Sequence, residues 1–209
     1  MRMLEKKTTE FLDALSSAEP VPGGGGASAA VGACASALGM MVAHLTMGKK
    51  KYAEYEEEIK EALKKLEELR DRLVALTDAD AEAFEPLSKA YGLPKETKEQ
   101  QKEKEQILEA ALYEASIVPV QIMETILDAM AYLETLSEKG SRIVISDVGA
   151  GILFAEAALE GASLNIFINT KLMKDRERAE ELGRKAEEMI RRGRELKDVI
   201  FSAVLKEIK

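Results

Sequence analysis

A carboxylate interrupts an otherwise apolar repeat in the middle of the chain. When the run from Ile59 to Leu87 is numbered in heptads with Ile59 at position a, Asp80 is the single polar residue at an a or d position. The apolar members of this stripe are Ile59, Ala62, Leu66, Leu69, Leu73, Leu76, Ala83 and Leu87. Because positions a and d share one face of a helix, the spacing directs Asp80 toward the core and leaves Asp78 on a solvated face.

A carboxylate in such a seam is suited to proton transfer. Burial disfavours the charged form and raises the pKa toward the range useful to a general base or acid near neutrality. Two structural roles for Asp80 remain open, because a buried carboxylate also persists when it pairs with a Lys or Arg of another helix or caps a helix N-terminus.

Two further stretches could bind an anion. In "VPGGGGASAA", the glycines permit close approach of the backbone to a ligand, and the free N–H groups of a following helix favour negative charge. The candidate residues here are Gly23, Gly24, Gly25, Gly26 and Ser28. In "GKKKY", Lys49, Lys50 and Lys51 could hold an anionic substrate tail. The structural alternatives are a tight turn before a closely packed helix, and a solvated helix start. The glycine run matches neither a Walker A nor a Rossmann pattern.

Composition narrows the class of protein. Lys and Arg total 30 against 38 Asp and Glu, a net charge of −8, which argues against nucleic acid or an anionic membrane as the partner. A single cysteine, Cys34, and no signal-peptide pattern indicate a reducing cytoplasm. The single histidine, His44, makes a metal site of several histidines impossible, and we expect it to be a half-buried helix residue with a partner.

Helical patterns dominate the chain, with turns at its Gly- and Pro-rich stretches. The uncharged run 27–47, apart from His44, is interpreted as a buried small-residue central helix and not as a membrane span. Pro119 should kink or split the helix that contains it. The predicted helical segments are 3–15, 27–47, 53–90, 98–136, two short helices within 146–175 meeting near Gly161, and 176–208. We therefore expect one all-α domain over residues 1–209, a bundle of long antiparallel helices.

Four blocks of sequence, in this order and spacing, point to one family. They are "PVPGGGGASAAVGACASALGMMVAHLTMGKKKY", "LTDADAEAFEPLSKAYGLPKET", "ASIVPV" and "SDVGAGILFAEAALEGASLNIFIN". The chain resembles the cyclodeaminase/cyclohydrolase family of folate enzymes, which includes the C-terminal domain of formiminotransferase-cyclodeaminase and stand-alone bacterial methenyltetrahydrofolate cyclohydrolases. The resemblance covers nearly the whole chain. One departure is Ser141, where relatives often carry Asn.

The resemblance implies an all-helical homodimer or higher homo-oligomer, with a folate substrate, which can be polyglutamylated, in a cleft near the subunit interface. It implies no metal and no cofactor. Asp80 matches the family's proposed catalytic residue. Ser146, Asp147, Asn165 and Asn169 match polar positions of its later blocks and are expected to line the cleft.

Three functions follow as hypotheses. The first is hydrolysis of 5,10-methenyltetrahydrofolate to 10-formyltetrahydrofolate. The second is cyclodeamination of formiminotetrahydrofolate, which releases ammonia and gives the same methenyl compound. The third, from another class, is a non-catalytic helical oligomerisation protein.

Overall fold

Six α-helices and three short 3-10 helices make up residues 2–209. The structure is a computed structural model that describes residues 2–209. Its α-helices are α1 (Thr8–Leu15), α2 (Gly24–Thr46), α3 (Glu56–Tyr91), α4 (Lys98–Lys139), α5 (Ile145–Leu172) and α6 (Arg176–Ile208). The 3-10 helices are Met3–Glu5, Lys50–Tyr55 and Arg142–Val144. No β-strand occurs in residues 2–209, so the predicted all-α class is confirmed.

The apolar stripe of α3 packs as its heptads predict. Ile59, Leu66, Leu73 and Leu87 are almost fully buried, and Leu69 and Leu76 are buried beside them, whereas Ala83 is half-buried. A short connection through Gly92 turns the chain back into α4, whose start is capped by the Thr97 hydroxyl accepting from the Gln100 N–H. The two longest helices therefore form an antiparallel pair.

Helix α2 is central but not enclosed. Its small residues allow α3, α4 and α5 to approach closely: a Cβ on Gly32 would lie 2.9 Å from Ile126, and one on Gly39 would lie 2.8 Å from Leu66. The prediction of a buried small-residue helix is confirmed for this side. Burial on all sides is wrong, because Val31 and Met41 remain exposed on the other side. His44 is exposed as well, which corrects the expected half-buried histidine.

Packing also overrides several local signals. Helix α5 is one continuous helix and not two, because Gly161 packs against Ser28 of α2 within an unbroken helix. Helix α4 runs through Pro119 without being split and extends to Lys139, beyond its predicted end at residue 136. The strand-like run "RIVIS" forms a 3-10 turn and the start of α5.

Helices α2 and α5 lie side by side in opposite directions. At one end of their contact, Gly24 of α2 lies near Asn165 of α5, and Gly161 of α5 lies against Ser28 of α2. Further along, Gly151 of α5 lies near the Ala35 carbonyl of α2. Helices α2 and α4 are long and apolar enough to cross a membrane, yet 61% and 56% of the relevant windows are buried inside the bundle. Their apolar composition therefore has an explanation in the core.

Candidate functional site

The Asp80 carboxylate lies directly against the backbone of Gly25, in the first turn of α2. A Cβ on Gly25 would lie 2.6 Å from both Cγ and Oδ2 of Asp80, which is closer than any real contact. Gly26 also faces α3, because a Cβ on Gly26 would lie 3.3 Å from the Thr77 carbonyl oxygen. The glycine run is thus the feature that lets a carboxylate of α3 reach the tip of α2.

Asp80 is half-buried, and no basic side chain of residues 2–209 pairs with it. Burial raises the pKa of its carboxyl above the ordinary value, and the backbone N–H of Gly26 acts more weakly in the opposite direction. Within residues 2–209 no Lys or Arg forms a salt bridge with it. The N-cap residue of α2, Gly23, supplies no side chain to the free N–H groups of the first turn. A carboxylate beside these groups can accept a proton and still be held in place.

Helix α5 adds amide side chains next to the same glycines. Asn165 is half-buried, and its Nδ2 lies 3.9 Å from the Cβ position of Gly24. Asn169 lies one turn further on, so it shares that side of the helix, and it is buried. Ser28 lies next to this group, but its hydroxyl donates to the Gly24 carbonyl at 2.7 Å and is buried against Gly161. Its side chain is therefore used within the fold.

The remaining predicted site residues lie at the opposite end of the bundle. Lys49, Lys50 and Lys51 follow the C-terminal end of α2, and Ser146 and Asp147 occupy the first turn of α5. Since α2 has 23 residues and rises about 1.5 Å per residue, roughly 35 Å separate its two ends. The structure does not bring the lysines and the glycine run to one site within a chain.

Polar groups at this second end are joined to one another. The Lys49 Nζ donates to the Ser141 Oγ at 3.2 Å, and the Ser141 N–H donates to the Thr46 Oγ1 at 2.9 Å. The Tyr52 hydroxyl accepts from the Arg142 N–H at 3.0 Å, and this bond holds the pKa of Tyr52 below its ordinary value. Ser141, the departure from the family pattern, is fully buried in this network.

Asp78 is not solvated as its heptad position predicts. The N-terminal segment folds over it, and the Met3 N–H donates to its Oδ1 at 2.9 Å. Its Oδ2 is buried and has no partner within residues 2–209. The amphipathic pattern of residues 3–15 indicated a segment that must dock, but gave no sign of where it docks.

Thr77 is the neighbour of the site that the sequence did not single out. It is buried at position e of the heptads, beside the a and d stripe, and its carbonyl and methyl groups contact Gly26. Only its place one turn before Asp80 could have drawn attention to it.

Several cavities lie near this end of the bundle. One of about 300 Å³ is lined by Pro20, Val21, Ala81, Phe84 and Ser88 among others; Ala81 directly follows Asp80 in the chain, but Asp80 does not itself line this cavity. A larger one of about 780 Å³, between α4 and the α5–α6 connection, includes none of the predicted site residues. No cluster of three or more His, Cys, Asp or Glu side chains able to hold a metal ion occurs in residues 2–209.

Comparison with known proteins gives concordant matches. The family described as Formiminotransferase-cyclodeaminase matches residues 7–188. A methenyltetrahydrofolate cyclohydrolase of Methylorubrum extorquens is 41% identical over 93% of this chain and 93% of its own length. A formimidoyltransferase-cyclodeaminase of Gallus gallus is 30% identical over 83% of this chain, which corresponds to 32% of that longer protein.

One solved structure matches the whole chain. The formiminotetrahydrofolate cyclodeaminase of Thermotoga maritima superposes with a TM-score of 0.89 at 29% identity, and each chain is covered completely. The long helices, the glycine-lined tip of α2 and the matches over most of the sequence lead to one assignment. The chain belongs to the formiminotransferase-cyclodeaminase family of folate-processing enzymes.

Proposed function

We propose that this protein is a methenyltetrahydrofolate cyclohydrolase, which hydrolyses 5,10-methenyltetrahydrofolate to 10-formyltetrahydrofolate. The observation that carries the proposal is the Asp80 carboxylate held without a cationic partner against Gly25. The cyclohydrolase relative, which matches nearly end to end at 41% identity, supports this choice of reaction.

The substrate carries a positive charge on the carbon between N5 and N10. The Asp80 carboxylate stabilises that cation and orients a water molecule toward the carbon. As the oxygen–carbon bond forms, the carboxylate accepts one proton of the water, and a neutral carbinolamine results. The bond from the carbon to N5 then breaks, the hydroxyl proton is lost, and N5 gains a proton. The products are the N10-formyl compound and one proton released to solvent.

The partly buried state of Asp80 suits both tasks. A raised pKa makes the ionised carboxylate a better proton acceptor than a solvated one. The cavity beside Ala81 and Phe84 offers apolar surface for the ring system of the folate, and Asn165 and Asn169 offer amide groups for its polar edge. Every group in this scheme is a protein side chain or water, so we propose that the enzyme needs no metal and no cofactor.

Cyclodeamination of formiminotetrahydrofolate is the second candidate. It is favoured by the Thermotoga maritima structure, whose protein is named as a formiminotetrahydrofolate cyclodeaminase. In that reaction N10 attacks the formimino carbon and loses its proton to solvent, protonated Asp80 donates a proton to the amino group, and the carbon–nitrogen bond to that group breaks to release ammonia. The same carboxylate would serve as acid instead of base.

We further propose that the protein acts in the cytoplasm, on a folate that can be polyglutamylated, as a homodimer or higher homo-oligomer. The net charge of −8 and the family support this setting and disfavour nucleic acid as a partner.

Side-by-side assays decide between the two reactions. Purified protein is given methenyl- and formimino-tetrahydrofolate separately, and formation or loss of the methenyl chromophore is followed. Asp80→Asn should lower kcat by about 10²–10⁴-fold, the usual contribution of a general base, and leave substrate binding largely intact. Asp71→Asn, an exposed carboxylate on the same helix, is the control and should keep full activity. Near-normal turnover by Asp80→Asn would contradict the proposal.

A further inference from the structure

The N-terminal arm, residues 2–22, is attached to the rest of the protein by a single hydrogen bond. The Met3 N–H donates to Oδ1 of Asp78 on α3 at 2.9 Å. Among the residues that the structure describes, every other hydrogen bond of the arm closes within the arm. Phe11 and Pro22 are its only buried residues. An attachment that depends on so few contacts is lost when one of them is removed.

The end of the arm lies at the candidate site. Pro20 and Val21 line the cavity of about 300 Å³, and the remaining lining residues belong to α3, among them Ala81 and Phe84. Three residues after Val21 the chain begins α2 at Gly24. The arm is therefore one wall of this cavity and α3 is the other, so the place of the arm sets the shape of the cavity.

Asp78 uses one of its two carboxylate oxygens. Its Oδ1 accepts from Met3, whereas its Oδ2 is buried and has no partner in residues 2–209. Because a helix turns by about 100° per residue, Asp78 and Asp80 lie on opposite sides of α3. What the contact with the arm requires is one acceptor oxygen, and a neutral amide supplies such an oxygen as well as a carboxylate does.

We infer that Asp78 is a positioning residue for substrate binding: it holds the N-terminal arm against α3 and thereby keeps the cavity between Val21 and Phe84 in the shape that receives the ring system of the folate. The identity of this ligand rests on the proposed function. The two aspartates of "DADAEAF" then have separate tasks. Asp80 serves the reaction, and Asp78 fixes the wall of the cavity beside it.

The inference predicts a change in KM without a change in kcat. Asp80 lies against the backbone of Gly25 and not against the arm, so the reacting groups stay in place when the arm is released. The wall contributes apolar contact that is equal in the ground state and the transition state, and its loss raises KM alone. A merely structural role for Asp78 would lower the melting temperature and leave the KM of the folded protein unchanged.

Two variants break the hydrogen bond from its two sides. Asp78→Ala removes the acceptor, and Met3→Pro removes the donor. Proline suits this position, because Met3 is the first residue of a 3-10 helix and Arg2 before it is extended. Each variant should raise KM for the methenyl substrate by about tenfold and leave kcat unchanged. The double variant should do no more than either single one, since both remove the same bond.

Conservative variants separate the hydrogen bond from the charge. Asp78→Asn keeps an acceptor oxygen and Met3→Leu keeps the N–H, so both should retain the KM of the wild type. Asp71→Ala is the control for loss of a carboxylate, because Asp71 is exposed on α3 two turns before Asp78. If Asp78→Asn raised KM as much as Asp78→Ala, the charge would be the active feature and the inference would be overturned.

Release of the arm is measured without folate. Hydrogen exchange of the backbone N–H groups in α1 should quicken in Asp78→Ala and in Met3→Pro but not in Asp78→Asn. Unchanged exchange in the first two variants, or quickened exchange with an unchanged KM, would overturn the inference. A wild type that turns over neither folate, while the variants still release the arm, would refute the proposed function and leave the anchoring role of Asp78 standing.

Discussion

The two ends of the α2–α5 pair differ in how their polar groups are satisfied. At the basic end, Lys49, Ser141 and Thr46 form a chain of hydrogen bonds, and Tyr52 and Arg142 form another. At the other end, Asp80 lies half-buried against bare glycine backbone with a raised pKa and no salt bridge. The fold uses the polar groups of the first end for its own stability and leaves those of the second available to a ligand.

A glycine is required at each end of α2, but for different reasons. Gly48, with φ of 73°, adopts the left-handed conformation that ends the turn after α2. Gly25 has ordinary helical geometry, and what matters there is the missing Cβ, whose place the Asp80 carboxylate takes. A change at Gly25 should therefore affect chemistry more than folding.

Among substitutions that leave Asp80 itself unchanged, the largest expected effect comes from Gly25→Ala. The added methyl group must displace the Asp80 carboxylate, and a shift of about 1 Å is enough to lower turnover by about 10²-fold. Alanine is a better helix former than glycine, so α2 should remain folded. The measurement is kcat/KM on the methenyl substrate together with the melting temperature.

Gly183→Ala is the matched control for that variant. Its added Cβ would meet nothing within 4 Å on α6, and both activity and fold should be retained. A folded Gly25→Ala protein with wild-type turnover would show that the place of the carboxylate against α2 is irrelevant to the reaction.

Much of this arrangement could be predicted from the sequence. The heptads of α3 correctly indicate that Asp80 points inward, because the stripe from Ile59 to Leu87 is regular enough to fix the face. The limits of α6 follow from its own amphipathic pattern. The distance between the glycine run and Lys49 was also open to prediction, since an uncharged helix of that length must hold its ends apart.

Other features depend on packing partners that local sequence does not reveal. Gly161 has the signature of a helix break, yet α5 continues through it because Ser28 occupies the space of its missing Cβ. Asp78 has the signature of a solvated residue, and only the docking of Met3 covers it. The sequence does not distinguish the exposed side of α2 from its buried side, because small apolar residues occupy both.

An intermediate effect, on stability alone, is expected from Thr46→Val at the basic end. The Thr46 hydroxyl accepts from the buried N–H of Ser141 and donates to the Val42 carbonyl. Valine leaves that N–H without a partner, at a cost of about 1–3 kcal/mol in the free energy of unfolding. Denaturant titration measures this loss, and kcat on a monoglutamyl substrate should stay unchanged.

Thr135→Val is its control, because the Thr135 hydroxyl contacts only the Ala131 carbonyl of its own helix. It should cost clearly less than Thr46→Val. A large fall in kcat with Thr46→Val would contradict the division between a structural end and a chemical end.

The smallest expected effect is the change in stability caused by Asp80→Asn. Its sign distinguishes a carboxylate kept for proton transfer from one kept only to cap α2. Burial raises the folded-state pKa of Asp80, so the folded protein holds this proton more tightly than the unfolded chain does. The contribution of Asp80 to stability is therefore fully present below its unfolded pKa of about 3.9 and is lost as pH rises through the folded pKa. Where the carboxylate is ionised it destabilises the fold, so above the folded pKa Asp80→Asn, which cannot ionise, should be slightly more stable than the wild type. Unfolding titrations of both proteins over a range of pH should show this advantage shrinking toward acid pH.

A carboxylate retained only to cap α2 gives the opposite sign, a loss on substitution that is greatest at neutral pH, because the ionised form is the better acceptor for the Gly26 N–H. A more stable but inactive Asp80→Asn protein would show that Asp80 serves the reaction and lowers the stability of the fold.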